Sequence, residues 1–193
     1  MLWYKILESI IKKSDENDKV VKKIFDYLVN ELKTKYLDNY GIELSDLLET
    51  FIEKRLYLEE ILEILLAILD NKEDDEYFYR REYYVSLICN IYNDKEKQLE
   101  LLEKYSYDKN ICIMYVEKLL EQNMIEKAIK VLKKGLRNNK YNKKSYAKKL
   151  EEIYLKYNMQ DEYKDILYKI FYEYTSFEFE TYLKIKKLYS KEE

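Results

Sequence analysis

Asn123-Met-Ile-Glu-Lys-Ala-Ile-Lys-Val-Leu-Lys-Lys-Gly-Leu136 and Asn158-Met-Gln-Asp-Glu-Tyr-Lys-Asp-Ile-Leu-Tyr-Lys-Ile-Phe171 align from end to end at an offset of 35 positions. Asn and Met coincide, the fourth position is acidic in both, and Val131/Ile166, Leu132/Leu167 and Leu136/Phe171 are apolar pairs. An earlier copy starts at Asn93, where Glu96, Lys97, Leu99, Leu101 and Leu102 match Glu126, Lys127, Ile129, Val131 and Leu132. The stretches between the copies correspond as well: Cys112, Tyr115 and Leu119 align with Ala147, Leu150 and Tyr154, then with Tyr182, Ile185 and Tyr189. Apolar residues spaced by three and four make each stretch an amphipathic helix. A helical hairpin that recurs with this period cannot bury its apolar stripe alone and must stack on its neighbours, so an α-solenoid is expected. Asn before the second helix suits an N-cap or a tight turn, and the acidic residue after it suits the positive helix N-terminus.

Composition extends the helical reading to the whole chain. The 193 residues contain no Pro and only 2 Gly, Gly41 and Gly135, and neither follows Asn or Asp. Helix breakers and tight hairpin turns are therefore almost absent. The fold class expected is all-α: an N-terminal helical cap over residues 1–70, then repeated helical hairpins over 71–193. The hairpins are placed at about 77–105, 108–138 and 143–173, with a terminal helix at 176–189, and the whole is expected to be one continuous domain. In the cap, helices are expected over 3–13, from Lys19 to Tyr40, and from a Ser45 cap to Leu69. Gly41 falls where a helix end favours a left-handed residue, followed by the apolar Ile42. The acidic run from Asp70 to Glu76 is the clearest boundary.

Several chemistries are excluded or left without support. With no His there is no Ser-His-Asp or Cys-His system and no His-ligated metal. Two glycines cannot build a phosphate-cradling loop. Carboxylates at helical spacing, such as Glu59/Glu60/Glu63 and Asp74/Asp75, belong to exposed faces, with no Glu-x-x-His di-iron pattern beside them. Cys89 and Cys112 lie in apolar helical contexts without CxxC spacing and are expected as buried thiols. No catalytic, cofactor or metal site is expected. The opening residues from Met1 lack a basic segment leading into an apolar run, and Ile61–Leu69 is interrupted by Glu63. Neither a signal peptide nor a bilayer span is expected, and the cytoplasm is the expected location.

Two features could carry binding. The first is the stretch Lys127–Lys149, which contains no acidic residue and includes Lys133, Lys134, Arg137, Lys140, Lys143, Lys144 and Lys148. It could contact phosphate or an acidic protein, or be a solvated face. Lysine outnumbers arginine there, which is poor equipment for bidentate base readout. The second is the set of tyrosines expected on first helices, which line the concave face of such an array: Tyr83, Tyr84, Tyr92, Tyr115, Tyr146, Tyr154 and Tyr157. Rigid amphipathic rings anchor peptides well. Of these, Tyr83, Tyr115, Tyr146, Tyr154 and Tyr157 are taken as the candidate partner-binding residues. The 23 tyrosines are not all functional, because Phe, Tyr, Met, Ile, Asn and Lys together supply 95 residues, the skew of a low-GC genome.

The Asn123–Leu136 segment, of the form E-K-A-[IL]-x-[VL]-L-x-x-[GA]-[LI], resembles the second helix of a tetratricopeptide hairpin, although the first helices lack W-x-x-L-G-x-x-Y. Ile166-Leu-Tyr-Lys-Ile-Phe171 and Ser176-Phe-Glu-Phe-Glu-Thr-Tyr182-Leu-Lys184-Ile-Lys-Lys-Leu188 resemble the C-terminal helical region of bacterial SWIM zinc-finger proteins, a likeness over about 108–189. The CxC and CxH ligands of that finger are absent, so its nucleic-acid role does not carry over. The expectation is a non-catalytic helical-repeat scaffold that binds a protein or peptide on its concave face. The alternative is accessory nucleic-acid binding through residues 127–149.

Overall fold

A computed structural model describes residues 2–15, 17–34, 41–70, 77–139, 141–175 and 177–189. Among them are eleven α-helices, one π-helical turn and no strand. The helices are α1 (Leu2–Lys13), α2 (Lys19–Thr34), α3 (Gly41–Glu53), α4 (Leu58–Asp70), α5 (Tyr77–Ile91), α6 (Lys95–Tyr105), α7 (Lys109–Glu121), α8 (Ile125–Asn138), α9 (Lys143–Lys156), α10 (Gln160–Lys169) and α11 (Phe179–Tyr189). The π turn, Ile170–Tyr174, continues α10. The chain divides into two compact units, residues 1–98 and 99–193. Most of the acidic boundary expected from the sequence, residues 71–76, lies outside the described residues.

In the first unit α1 packs on α2 and α3, α2 on α3, and both α3 and α4 on α5. The core is built from Val21, Phe25 and Leu28 of α2, Leu47, Leu48 and Phe51 of α3, Ile61 and Leu65 of α4, and Tyr84, Val85 and Ile88 of α5. Their spacing of three and four is the amphipathic stripe that drives helix packing. The single helix expected from Ser45 to Leu69 is two helices. The chain breaks between α3 and α4 without Gly or Pro, through Arg55 at φ 58° and Tyr57 at φ 52°. Leu56 N–H donates to Phe51 O and Arg55 N–H to Ile52 O, both at 3.0 Å, the paired bonds of a Schellman closure. A left-handed non-glycine residue costs about 1–2 kcal/mol. Tertiary contacts offset it: the Arg55 guanidinium donates to the carbonyls of Asn90 and Ile91 at the end of α5, at 3.4 and 3.3 Å. Tyr57 stacks on Phe25 with centroids 4.3 Å apart.

Two further expectations are corrected here. Gly41 is helical, the first described residue of α3, and is not a left-handed closing residue. Ser45 sits one turn inside α3 and is not its cap. The expected extension of the second helix through residues 35–40 lies outside the described residues.

In the second unit α7 packs on α8, α8 on α9, α9 on α10, and α10 on α11. Asp108 caps α7, accepting from Asn110 N–H at 2.8 Å and Ile111 N–H at 3.3 Å. The aligned asparagines settle the choice left open above. Asn123 and Asn158 are left-handed, at φ 58° and 57°, and close the first helix of each hairpin. Met124 N–H donates to Leu119 O at 2.8 Å and Met159 N–H to Tyr154 O at 2.9 Å, the same Schellman bond 35 positions apart. Each Met carbonyl then accepts the first bond of the next helix, from Ala128 and Tyr163. A three-residue turn that ends in Asn-Met thus joins the helices, and the acidic residues follow in the first turn of α8 and α10. The Ala128 position of α8 corresponds to Tyr163 of α10; both are buried, so the packing opens to admit that ring.

Candidate functional site: two grooves flanking α8

Gly135 sets the spacing of α8 and α9. A Cβ built on it would lie 3.1, 3.1 and 3.2 Å from Cδ2, Cε2 and Cζ of Tyr146, so the bare backbone is what lets the Tyr146 ring lie against α8. The aligned positions carry Tyr105 and Ile170 in place of Gly135, and Ile111 and Thr181 in place of Tyr146. Bulk moves from one helix to its neighbour along the series.

On either flank of α8 the surface dips. One groove, about 830 Å³, is bounded by α6 residues Glu103 and Lys104, Ser106 and Tyr107 beyond them, and Lys127, Lys130, Val131 and Lys134 of α8. Cys112, Tyr115 and Tyr146 line its floor. The other, about 530 Å³, is bounded by Lys133, Leu136 and Arg137 of α8 and by Glu162, Asp165, Ile166 and Lys169 of α10. Leu150 and Tyr154 of α9 line its floor, with Lys143 and Tyr174 at the margin. Lys127, Lys130, Val131 and Lys134 recur 35 positions later as Glu162, Asp165, Ile166 and Lys169. Each groove therefore runs between two successive second helices over a first helix, with the same positions on the wall and different charges on them.

The five tyrosines proposed from the sequence do not form one exposed surface. Tyr83 belongs to the first unit, half-buried on α5, and donates its hydroxyl to Glu49 Oε1 at 3.1 Å; burial raises its pKa. Tyr115, Tyr146 and Tyr154 are buried at 0, 2 and 2% exposure, so their ring faces are core. Tyr157 is half-buried at the end of α9, with Lys156 Nζ 5.5 Å from its ring centroid. Tyr84 is buried in the first core and Tyr92 is half-buried.

The basic stretch is also divided. Lys144 and Lys148 pair with Glu178 at 3.5 and 3.2 Å, and Lys149 pairs with Glu117 at 2.9 Å and Glu152 at 3.3 Å. Lys127 pairs with Glu103 at 3.0 Å. Lys143 lies over the Tyr174 ring at 5.9 Å, and Lys140 lies outside the described residues. Lys130, Lys133, Lys134 and Arg137 are exposed and make no ion pair among the described residues. At 100° per residue these four fall within an arc of about 100°, the outer crest of α8 between the two grooves.

The polar chemistry of the first groove is settled internally. The Tyr115 hydroxyl donates to Glu103 Oε2 at 2.7 Å, and Lys127 donates to the same oxygen. The hydroxyl and Lys127 hold Glu103 below the usual carboxylate range. Burial raises Tyr115, whereas its hydrogen bond raises Lys127. Burial pushes the Cys112 thiol up to about 11, so it stays protonated and is no nucleophile. Among the described residues no group of His, Cys, Asp and Glu is gathered to hold a metal ion, and no helix is long and apolar enough to cross a membrane.

The sequence reading missed Lys130 among the site residues, and the wall residues Glu103, Glu162, Asp165 and Lys169 altogether. The signal that could have found them is the alignment itself: positions conserved in place but not in charge point outward. No protein-family model, curated protein or solved structure matches the chain.

Proposed function

We propose that this chain is a non-catalytic α-solenoid of tetratricopeptide-like hairpins that holds a protein or peptide partner in the grooves beside α8. The observation that carries the reading is the equivalence of the two grooves, which place the same aligned positions on the wall of consecutive hairpins over an apolar floor. Repeated concavities of this kind suit a partner that touches several units in succession. The buried rings of Tyr115, Tyr146 and Tyr154 then serve as floor, not as projecting anchors.

A second reading, nucleic-acid binding, draws on the four cations of the α8 crest that make no ion pair among the described residues. It is the weaker, because Lys144, Lys148 and Lys149 already have carboxylate partners and the floor rings offer no open face for base stacking.

The test is site-specific photo-crosslinking in the source cells. A photoreactive residue at Lys104 or Lys169, exposed on the two groove walls, is expected to trap one and the same protein. The same group at Leu155, exposed but lining neither groove, traps it weakly. Equal crosslinking at all three positions defeats the proposal. RNA or DNA trapped at the wall positions favours the second reading.

A further inference from the structure

We infer that the partner is an extended acidic segment that crosses α8, seating one apolar side chain in each groove and its carboxylates on the crest between them. The inference rests on the docking reading above and names the chemistry of the occupant. Lys130, Lys133, Lys134 and Arg137 form the exposed crest, all of one sign and without an ion-pair partner among the described residues. Immediately to either side apolar side chains reach the groove surface: Val131 and Tyr107 in one groove, Leu136 and Tyr174 in the other. A ligand that matches this cross-section is apolar, acidic, apolar in that order.

The spacing follows from backbone geometry. The crest is one helix wide, about 10 Å with side chains, and an extended chain of polyproline II type advances about 3.1 Å per residue with three residues per turn, so residues three apart share a face. The two anchors are therefore about three residues apart, with Asp or Glu between them. The apolar part of the grooves sharpens the choice of partner. Each groove lining carries four cations against two carboxylates, so charge alone would also suit a phosphate chain. A peptide adds apolar side chains for the grooves and keeps its carboxylates over α8. Association of this kind is steered by the crest and weakens with salt.

The test is fluorescence anisotropy with the full chain and labelled peptides of about ten residues. The first has Phe and Leu three positions apart and Asp or Glu between and around them. The second has the same anchors with Ser and Gln in place of the acids. The third is acidic with the anchors adjacent. A single-stranded oligothymidylate is the fourth probe. The first peptide is expected to bind at least about tenfold more tightly than the second or third, a ratio several exposed ion pairs can supply together. Lys130→Glu with Lys134→Glu, and separately Lys133→Glu with Arg137→Glu, each weaken it about tenfold, as charge reversal on half of the crest should. These side chains are exposed and make no ion pair among the described residues, and Lys133 gives up only a Tyr154 ring 5.9 Å away, so the far-UV spectrum stays that of the parent. Equal binding of the first and second peptides, or of the first and third, overturns the inference. So does tighter binding of the oligonucleotide, or indifference to both double substitutions. If no peptide binds while Lys104 and Lys169 still trap a protein, this inference fails and the docking reading survives. If the crosslinks fail as well, both fall.

Discussion

Gly135→Ala is expected to destabilise the second unit, although alanine is the better helix former. The gain in helix propensity is about 0.8–1 kcal/mol. Against it stands a Cβ at 3.1–3.2 Å from three carbons of the Tyr146 ring, where relaxed carbon contacts are about 3.5–4 Å. Tyr146 is 2% exposed, so the ring has to move by about half an ångström within a closed layer, and overpacking of this size costs about 1–3 kcal/mol. The net expected loss is about 1 kcal/mol. The aligned positions suggest the compensating change. Tyr146→Ile installs the residue found at Ile111 and by itself costs about 2 kcal/mol through lost packing. With the ring gone the three close contacts of the new Cβ are removed and the propensity gain reappears, so the double variant shows favourable coupling of about 2 kcal/mol. The measurement is urea unfolding followed by far-UV circular dichroism, with the slope expected to stay constant while the midpoint moves. Stabilisation by Gly135→Ala alone, or additive effects in the pair, would refute the contact argument.

Other consequences are smaller in scope. Asn123→Val and Asn158→Val place a β-branched residue in a left-handed turn and should each cost about 1–2 kcal/mol, while Gly at either position is tolerated; equal losses for Val and Gly would dissociate the cost from φ. Cys89 and Cys112 are both buried, and the Cys112 thiol is pushed up to about 11. Neither should react with a thiol reagent in native protein at pH 8, and both should react in denaturant; fast native labelling contradicts the buried assignment. Glu103 and Glu178 are held below their usual range, Glu103 by the Tyr115 hydroxyl and Lys127, Glu178 by Lys148 and Lys144. Groups with a depressed folded-state pKa contribute stability that is complete above about pH 4.5 and lost as the pH falls through the folded value. Glu103→Gln with Glu178→Gln should therefore lower stability at neutral pH and flatten its decline into acid. An acid limb identical to that of the parent would remove both carboxylates from the account.

The hairpins were legible because their determinants are local. An apolar stripe, an Asn-Met pair and an acidic first turn all lie within one hairpin, and α7 to α10 start and stop close to where those signals put them. The break after α3 was not legible, because nothing near Arg55 demands it. A helix of leucines with no Gly or Pro should continue, and the residues that reward the left-handed turn are the carbonyls at the end of α5, 35 and 36 positions later. Gly41 misled for the complementary reason. Glycine permits a left-handed turn but does not require one, and here it is part of a helix.

The same distinction governs the candidate site. Charge along the sequence located the basic stretch, yet what matters for binding is which cations lack partners, and partners come from elsewhere. Glu178 stands just before α11 and takes Lys144 and Lys148; Glu117 belongs to α7 and takes Lys149; Glu103 ends α6 and takes Lys127. Among the described residues of that stretch the exposed cations left without a carboxylate form one crest of α8, set by the 3.6-residue period and not by the length of the basic run. Tyrosines suffer the opposite error: an amphipathic ring on a first helix was expected to face a partner, but the packing of successive helices closes over it and leaves at most its hydroxyl to act, as Tyr115 does toward Glu103. A binding surface in a stacked helical series is thus what packing and ion pairing leave over. Substitutions on the crest should alter affinity without altering stability, whereas substitutions at Tyr115, Tyr146 or Tyr154 should alter both. That split separates the wall of the groove from its floor.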